Sequence, residues 1–370
     1  MSKVKQYIGL DVHKDTISLA VAPGGPGLEV HDLGRIPHDV PRLLRRLLKL
    51  GSADLLHVAY EAGPTGYGLL RLLEAAGIHC IVVAPSKTPR RPGDKVKTDQ
   101  RDARNLARYL RSGELVAVIP PEREVEALRD VLRAREDAVR ALRSARQQLS
   151  SFLLRHDRRW EGRSSWTLVH LEWVRTQRFE SEAQRQVLED YSQEVHRLSA
   201  RVKEWDHSVA QFAEECRSGA PMYRALQTMK GISTIVAATL VAEIGDFKRF
   251  PSASKLMSFL GLTPSEQSSG PKVSRGAITK AGNPHVRWKL IQAAWQYRHR
   301  PAMTIVLKRR SEGVPQPIQD IAWKAQKRLH RRYRQMTARH KRAQVTVVAV
   351  AREMCGFIWA IGQQVQQPSA

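Results

Sequence analysis

Cysteine is scarce in this 370-residue chain: Cys80, Cys216 and Cys355 are odd in number, far apart and without a C-x-x-C pair. That excludes a disulfide framework and the paired spacings of zinc or thiol redox sites, and predicts buried thiols in a reducing compartment. Acidic residues are short as well, 36 Asp and Glu against 61 Lys and Arg, for a formal net charge of +25. Such an excess excludes a neutral metabolic enzyme as the default and favours a polyanionic partner, nucleic acid ahead of an acidic membrane surface. No segment reads G-x-x-x-x-G-K-[ST], and Gly63, Gly66 and Gly68 do not make one, which excludes a Walker-type nucleotide site. The most apolar late segment, Val345 to Ala351, is interrupted by Arg352 and Glu353, so no transmembrane helix is expected. Met1 to Gln6 runs directly into a strand-like segment rather than a signal peptide, which predicts a cytoplasmic, nucleoid-associated protein. No internal repeat is present.

What the chain has is apolar mass, 42% hydrophobic against 26% charged residues, and a length that suits two or three domains. Strands are expected on either side of a break at Asp11 to Asp15, the second over Thr16 to Ala22, with a turn at Pro23 to Gly27. Leu28 to Ile36 and Leu55 to Tyr60 are further strands, and Val40 to Leu50 is a helix with Leu43, Leu44, Leu47 and Leu48 on one face. A short helix over Leu69 to Ala76, a strand at Ile78 to Ala84, a basic loop from Lys87 to Lys97 and a helix from Asp99 to Arg111 complete an α/β domain over residues 1–118.

From Glu122 the pattern changes. Val125, Leu128, Leu132, Val139, Leu142, Leu149 and Leu153 keep a three-four spacing broken by Arg135 and Arg146, and a second run from Leu188 to Phe212 keeps it without a miss. Two such helices predict an antiparallel coiled-coil arm over residues 119–218, with Trp160, Trp166 and Trp173 either packing its tip or contacting RNA. Residues 219–370 read as a mostly helical domain with a Ser/Gly-rich loop, Pro264 to Gly276, followed by strongly basic helices to about Ile361. The fold class is therefore α/β plus α.

Asp11 and Glu61 each close an apolar strand, so parallel neighbours would present both carboxylates at one rim of a sheet, where ligands and metals gather. Asp99 and Asp102 are three apart at a helix start and share a face, although Asp99 alone also reads as a helix cap and Glu61 as a solvated strand end. Four such carboxylates suit Mg2+ or Mn2+.

These residues lie in Tyr7-Ile8-Gly9-Leu10-Asp11-Val12-His13-Lys14, Tyr60-Glu61-Ala62-Gly63-Pro64-Thr65-Gly66 and Lys97-Thr98-Asp99-Gln100-Arg101-Asp102-Ala103. Together with Gly261-Leu262-Thr263-Pro264-Ser265-Glu266-Gln267-Ser268-Ser269-Gly270 and Gly276-Ala277-Ile278-Thr279-Lys280-Ala281-Gly282-Asn283, they resemble the DEDD transposases of the insertion-sequence 110 family. The resemblance implies an RNase H-like (RuvC-like) N-terminal domain, a coiled-coil dimerisation arm, and a helical transposase domain carrying a nucleophilic serine. It implies a DNA recombinase guided by a noncoding bridge RNA, working as a homodimer or homotetramer. Asp11, Glu61, Asp99 and Asp102 match the four acidic residues, and Ser269 matches the nucleophile, with Ser268 next door. A serine hydroxyl is a weak nucleophile, and Mg2+ or Mn2+ on the carboxylates would polarise the phosphate it attacks. Acidic cluster and serine fall in different domains, so two protomers could share one site.

Other features stay open at this level. Ser268 and Ser269 also suit a flexible loop. Gln227 to Ser233 resembles a helix-hairpin-helix turn, with Lys230 and Ser233 departing from the usual Pro-Gly-Ile-Gly, and a plain helix connection fits as well. The runs Arg298 to Arg300, Lys308 to Arg310 and Lys327 to Arg342, near Tyr297 and Tyr333, suit phosphate contact with occasional stacking, or a solvated basic face. Competing functions are a RuvC-like Holliday-junction nuclease using water, a non-catalytic RNA-binding protein, and a sugar-kinase or actin-like ATPase that lacks its Gly-rich phosphate loops.

Overall fold

Ile8 and Leu10 alternate with Tyr7, Gly9 and Asp11, the period of two that sends alternate side chains to opposite faces of a sheet. In the computed structural model of the protein this segment is an inner strand of a six-stranded sheet. The structure describes residues 5–25, 28–85, 88–89, 98–269 and 272–365, without the side chains of residues 268, 269, 272, 273 and 275. The chain divides into two units, residues 1–120 and 121–370.

In the first unit β1 (Gln6–Val12), β2 (Thr16–Pro23) and β3 (His31–Pro37) form an antiparallel meander. β4 (Leu56–Glu61) pairs parallel to β1, β5 (His79–Val83) parallel to β4, and the short β6 (Ala117–Val118) antiparallel to β5. The order β3-β2-β1-β4-β5-β6 is a mixed sheet consistent with the RNase H-like expectation. β3 starts at His31 rather than Leu28, and the basic loop expected from Lys87 to Lys97 lies largely outside the described residues.

One sheet face buries Ile8, Leu10, Val58, Tyr60 and Val82 against helices α1 (Val40–Leu48) and α2 (Gly68–Ala75). Asp39 caps α1 by accepting the Arg42 amide at 2.8 Å. Leu43 and Leu47 face the core while Leu48 is half-exposed, so the leucine stripe is narrower than its spelling.

On the opposite face α3 (Asp99–Ser112) lies close to β1. A Cβ on Gly9 would fall 2.1 Å from the Ala103 carbonyl oxygen and 2.5 Å from the Ala107 nitrogen, so helix backbone rests almost directly on strand backbone. Thr98, not Asp99, is the helix cap, its hydroxyl accepting the Arg101 amide at 3.4 Å, which leaves the Asp99 carboxylate free of capping duty.

The second unit is built on two long helices, α4 (Arg123–Arg155) and α6 (Glu182–Glu215). They run antiparallel: the Glu124 carboxylate accepts the Arg217 amide, Arg135 pairs with Asp206, and Phe152 meets Tyr191 at 5.8 Å. Both arginines that interrupt the apolar spacing have a partner of their own, Arg135 in that ion pair and Arg146 over the Trp166 ring at 5.0 Å. The stripe also drifts, burying Ala138 and Ala213 where simple spacing pointed to Val139 and Phe212, and Phe212 is exposed. Near the far end Trp160, Trp166 and Trp173 surround buried His170 at 5.3, 4.9 and 5.6 Å, with α5 (Leu168–Thr176) supplying His170 and Trp173.

Leu128, Leu132, Val209 and Ala213, at the other end of the pair, belong to the main core of the unit. That core is completed by α7 (Ala220–Gln227), α8 (Thr234–Ile244), α9 (Ala253–Phe259) and α10 (Pro284–Ala294), and, beyond a short α11 (Ile305–Ser311) that buries Leu307 outside it, by α12 (Gln316–Ala338) and α13 (Ala343–Gln364). Length and composition alone would let α13 cross a bilayer. Here Val347, Val350, Ala351, Met354, Cys355, Ile358 and Ile361 are all buried in the core, so its apolarity serves packing. All three cysteines are buried free thiols, and desolvation pushes those of Cys80 and Cys355 up to about 12.

A polar network crosses this core. Glu243 of α8 accepts from Arg133 of α4 and, at 2.5 Å, from Asn283, which in turn caps α10 by accepting the amides of His285 and Val286. Arg129 donates twice to the Ala242 carbonyl, at 3.1 and 2.7 Å, and His285 meets Glu136 at 2.7 Å. Buried carboxylates are tolerated only when paired in this way.

Two stability predictions follow from these contacts. Gly9→Val drives a side chain into the α3 backbone and should destabilise the first unit by at least about 2 kcal/mol, read from its thermal unfolding transition. Glu243→Ala strips Arg133 and Asn283 of their shared acceptor and should cost the second unit about 3 kcal/mol in denaturant unfolding.

Candidate functional site

Asp11 is the penultimate residue of β1 and Glu61 the last of β4, one step past the Leu10 and Tyr60 register pair. The close approach at Gly9 brings the first turn of α3, with Asp99 and Asp102, to the same rim. Asp11 Oδ2 lies 3.1 Å from His13 Nε2, which lies 3.6 Å from Asp99 Oδ1, and ligand atoms of these three residues fall within 4.8 Å of one another. Arg35, from β3, donates to the other Asp99 oxygen, Oδ2, at 2.5 Å.

Burial holds the Asp11 carboxyl above its usual range, His13 draws it down, and the charges of Asp99 and Asp102 push it up again. Carboxylates crowded at a half-buried rim repel one another, and a divalent cation relieves that repulsion while accepting their oxygens. The donor set therefore fits such an ion, with Asp11 and Asp99 as first candidates and Asp102 close enough to act on Asp11 electrostatically.

Glu61 lies outside this group among the described residues. Its Oε1 accepts a hydrogen bond from the Thr88 hydroxyl at 2.8 Å, so it is an oriented carboxylate rather than a solvated strand end. His13, Arg35 and Thr88 are residues that sequence reading passed over. His13 was within reach, two residues from Asp11 in the turn that follows β1. Arg35 and Thr88 meet the rim only through the fold.

The segment expected as a loop, Pro264 to Gly276, is a hairpin of β7 (Pro264–Ser269) and β8 (Lys272–Ile278). Ser268 pairs in register with Val273 and Ser269 with Lys272, so ladder hydrogen bonding overrides a composition that looks unstructured. Both serines thus sit on ordered backbone at the closing end of the hairpin. Its base is fixed by the Thr279 amide donating to the Thr263 carbonyl and the Lys280 amide to that of Gly261. At Gly282, φ is +141° and a Cβ would stand 2.1 Å from the Phe259 carbonyl oxygen, so this position accepts only glycine.

Two expectations about the basic region change. Tyr297 is fully buried and Tyr333 packs partly against the core, so Tyr297 offers no stacking face. The exposed aromatic rings of this region are instead those of Trp288 and Trp323, with Lys289 Nζ and Lys327 Nζ over them at 5.1 and 5.8 Å. Between α7 and α8, Lys230 donates to the Arg300 carbonyl at 2.7 Å and a Cβ on Gly231 would lie 2.5 Å from the Ala293 carbonyl oxygen. This turn is a tightly packed helix connection whose lysine is already engaged.

Two family models match the chain. One, for transposases of the DEDD, IS110 type, covers residues 8–156, and the other, described as transposase IS116/IS110/IS902 family, covers residues 223–305. The chain is 43% identical over 98% of its length to a putative transposase, y4qE, of Sinorhizobium fredii, spanning 90% of that protein. It is 32% identical over 92% of its length to the transposase for insertion sequence element IS1533 of Leptospira borgpetersenii, spanning 99% of it. Relatives matched nearly end to end, and models that fall on the acidic rim in one unit and the serine hairpin in the other, establish that the chain belongs to the IS110 family of DEDD transposases and is a DNA-recombining enzyme.

Proposed function

We propose that this transposase cuts and rejoins DNA by Mg2+- or Mn2+-dependent transesterification through a phosphoseryl intermediate on Ser269, at sites chosen by a noncoding bridge RNA. The observation that carries the reading is the convergence of Asp11, Asp99 and Asp102 on one rim of the sheet, with Glu61 oriented beside them. A divalent cation bound there supplies Lewis acidity for the scissile phosphate and neutralises charge developing on it.

The chain's own residues do the rest. Asp11, Glu61, Asp99 and Asp102 would hold the cation and orient it toward the scissile phosphate. The Ser269 hydroxyl loses its proton as it bonds to phosphorus, and the bond from phosphorus to the departing DNA oxygen breaks, that oxygen taking up a proton. One phosphoester replaces another, so rejoining needs no nucleotide hydrolysis, in keeping with a chain that lacks a Walker segment. The net charge of +25 and the exposed rings of Trp288 and Trp323 support RNA and DNA phosphate contact with base stacking. Residues 119–218 read as the dimerisation arm of a homodimer or homotetramer, a reading supported by Leu168 and Val169, 86% and 68% exposed on α5. A DNA substrate also supports a cytoplasmic, nucleoid-associated location.

The test is amplification of the excised circular junction in cells carrying the gene in its native flanks. Asp11→Asn and Ser269→Ala should each abolish the junction at unchanged protein level, and co-expression of the two variants should restore it if protomers share a site. A junction that survives Ser269→Ala alone would move the nucleophile to Ser268 or to water, the outcome expected of a RuvC-like nuclease. Thr88→Val should lower junction yield roughly tenfold, because a hydrogen bond to a charged group contributes about 1.5–3 kcal/mol, whereas Glu61→Gln should abolish it.

A further inference from the structure

The rim contains a donor that a purely oxygen-ligated site would not. We propose that His13 is itself a ligand of the divalent cation, through Nε2, and that its imidazole biases the site toward Mn2+ over Mg2+. The inference rests on the reading that this rim holds a divalent ion.

Three observations support it. The first is spacing: Nε2 is 3.1 Å from Asp11 Oδ2 and 3.6 Å from Asp99 Oδ1. Adjacent ligands of a six-coordinate ion bound at about 2.1 Å stand about 3 Å apart and opposite ones about 4.2 Å, so His13 stands near the adjacent spacing from both carboxylates, and all three ligand atoms fall within 4.8 Å. The second is anchoring. The His13 amide donates to the Thr16 carbonyl at 2.9 Å, and the His13 carbonyl accepts from the His38 ring at 2.7 Å. The His38 amide also donates to the Asp15 carbonyl at 2.9 Å, so the turn after β1 is tied down on both sides and the ring is presented at little ordering cost.

The third is the division of Asp99. Arg35 occupies Oδ2 and leaves Oδ1 facing His13 and Asp11, so the guanidinium orients the carboxylate without covering the oxygen an ion would use. Chemistry then sets the preference. Mg2+ is small, hard and slow to give up its water oxygens, while Mn2+ is softer and takes an imidazole nitrogen into an otherwise oxygen set more readily, so one nitrogen among the ligands favours Mn2+ over Mg2+. A surface ion pair between His13 and Asp11 would give the same first distance, yet it would place no nitrogen on a bound metal.

The experiment is a Mn2+ titration of the full-length protein followed by electron paramagnetic resonance, with pulsed detection of nitrogen coupling and competition by Mg2+. The wild type should bind Mn2+ saturably with one histidine nitrogen coupled to it. His13→Ala should remove that coupling and weaken Mn2+ by at least about tenfold, the scale carried by even the outer partners of metal ligands, while the Mg2+ competition constant stays within about twofold. His13→Gln, an uncharged polar replacement in the same turn, should behave like His13→Ala. Saturable Mn2+ without nitrogen coupling, or Mn2+ affinity unchanged in both variants, overturns the role of His13 and leaves the carboxylate site standing. Absence of saturable Mn2+ binding in the wild type, or binding undiminished in Asp11→Asn, overturns the metal reading of the rim and this inference with it.

Discussion

The contact on which the first unit depends is the one at Gly9, where the α3 backbone settles onto β1 with no side chain between them. An ordinary helix on a sheet stands off by the length of the side chains that fill the gap. Here small residues on the helix, Ala103 and Ala107, and a missing Cβ on the strand remove that spacer. The first turn of α3 is thereby lowered to the level of the strand ends, and carboxylates from β1 and α3 come into reach of one another. Electrostatics at the rim works against this arrangement, since it gathers like charges. Packing of the apolar face must supply the free energy that holds them together, and His13 and Arg35 reduce the repulsion locally.

The two units solve different problems. The first sets small residues against a sheet to gather acidic groups, whereas the second spans a long distance with α4 and α6 and must then bind their base firmly to a helical core. Leu128 and Leu132 do this by burial, and the link from Arg133 through Glu243 to Asn283 does it by directed polar contacts. Because Asn283 also caps α10 and adjoins Gly282 at the foot of the serine hairpin, the long helix and the hairpin share one anchoring point. Burial depresses the Lys289 ammonium within the same region while Glu136 offsets it, a sign that charges there are held by their neighbours rather than by water.

Much of this was readable from the residues. Short apolar runs bounded by turn residues gave β1, β2, β4 and β5, which are buried along most of their length, and the three-four spacing gave both long helices, because these patterns record which parts of an element leave water. The carboxylates were legible for the same reason: Asp11 and Glu61 stop apolar strands, and Asp99 and Asp102 open a helix. What escaped was whatever depends on partners distant in sequence. Arg35 meets Asp99 across 64 positions, and nothing in the spelling of β3 announces it. The hairpin escaped because Ser, Gly and Lys are weak strand formers whose order here comes from cross-strand pairing, which a linear reading does not see. Tyr297 misled for the opposite reason, since its basic neighbours suggested a surface and the fold turned it inward.

The position of α13 bears on how the protein is made. Domains fold as units while the chain emerges from the ribosome, so residues 1–120 can close early, each strand finding a neighbour already synthesised. The second unit has no such order. Leu128 and Leu132 leave the ribosome more than two hundred residues before Val347 and Val350, with which they share a core. Until α13 arrives, its place among α9, α10 and α12 is an open apolar trough. Completion of the second unit is therefore a late event in synthesis, and a nascent chain interrupted before Ala343 is left with a finished acidic sheet and an unfinished core beneath the β7–β8 hairpin.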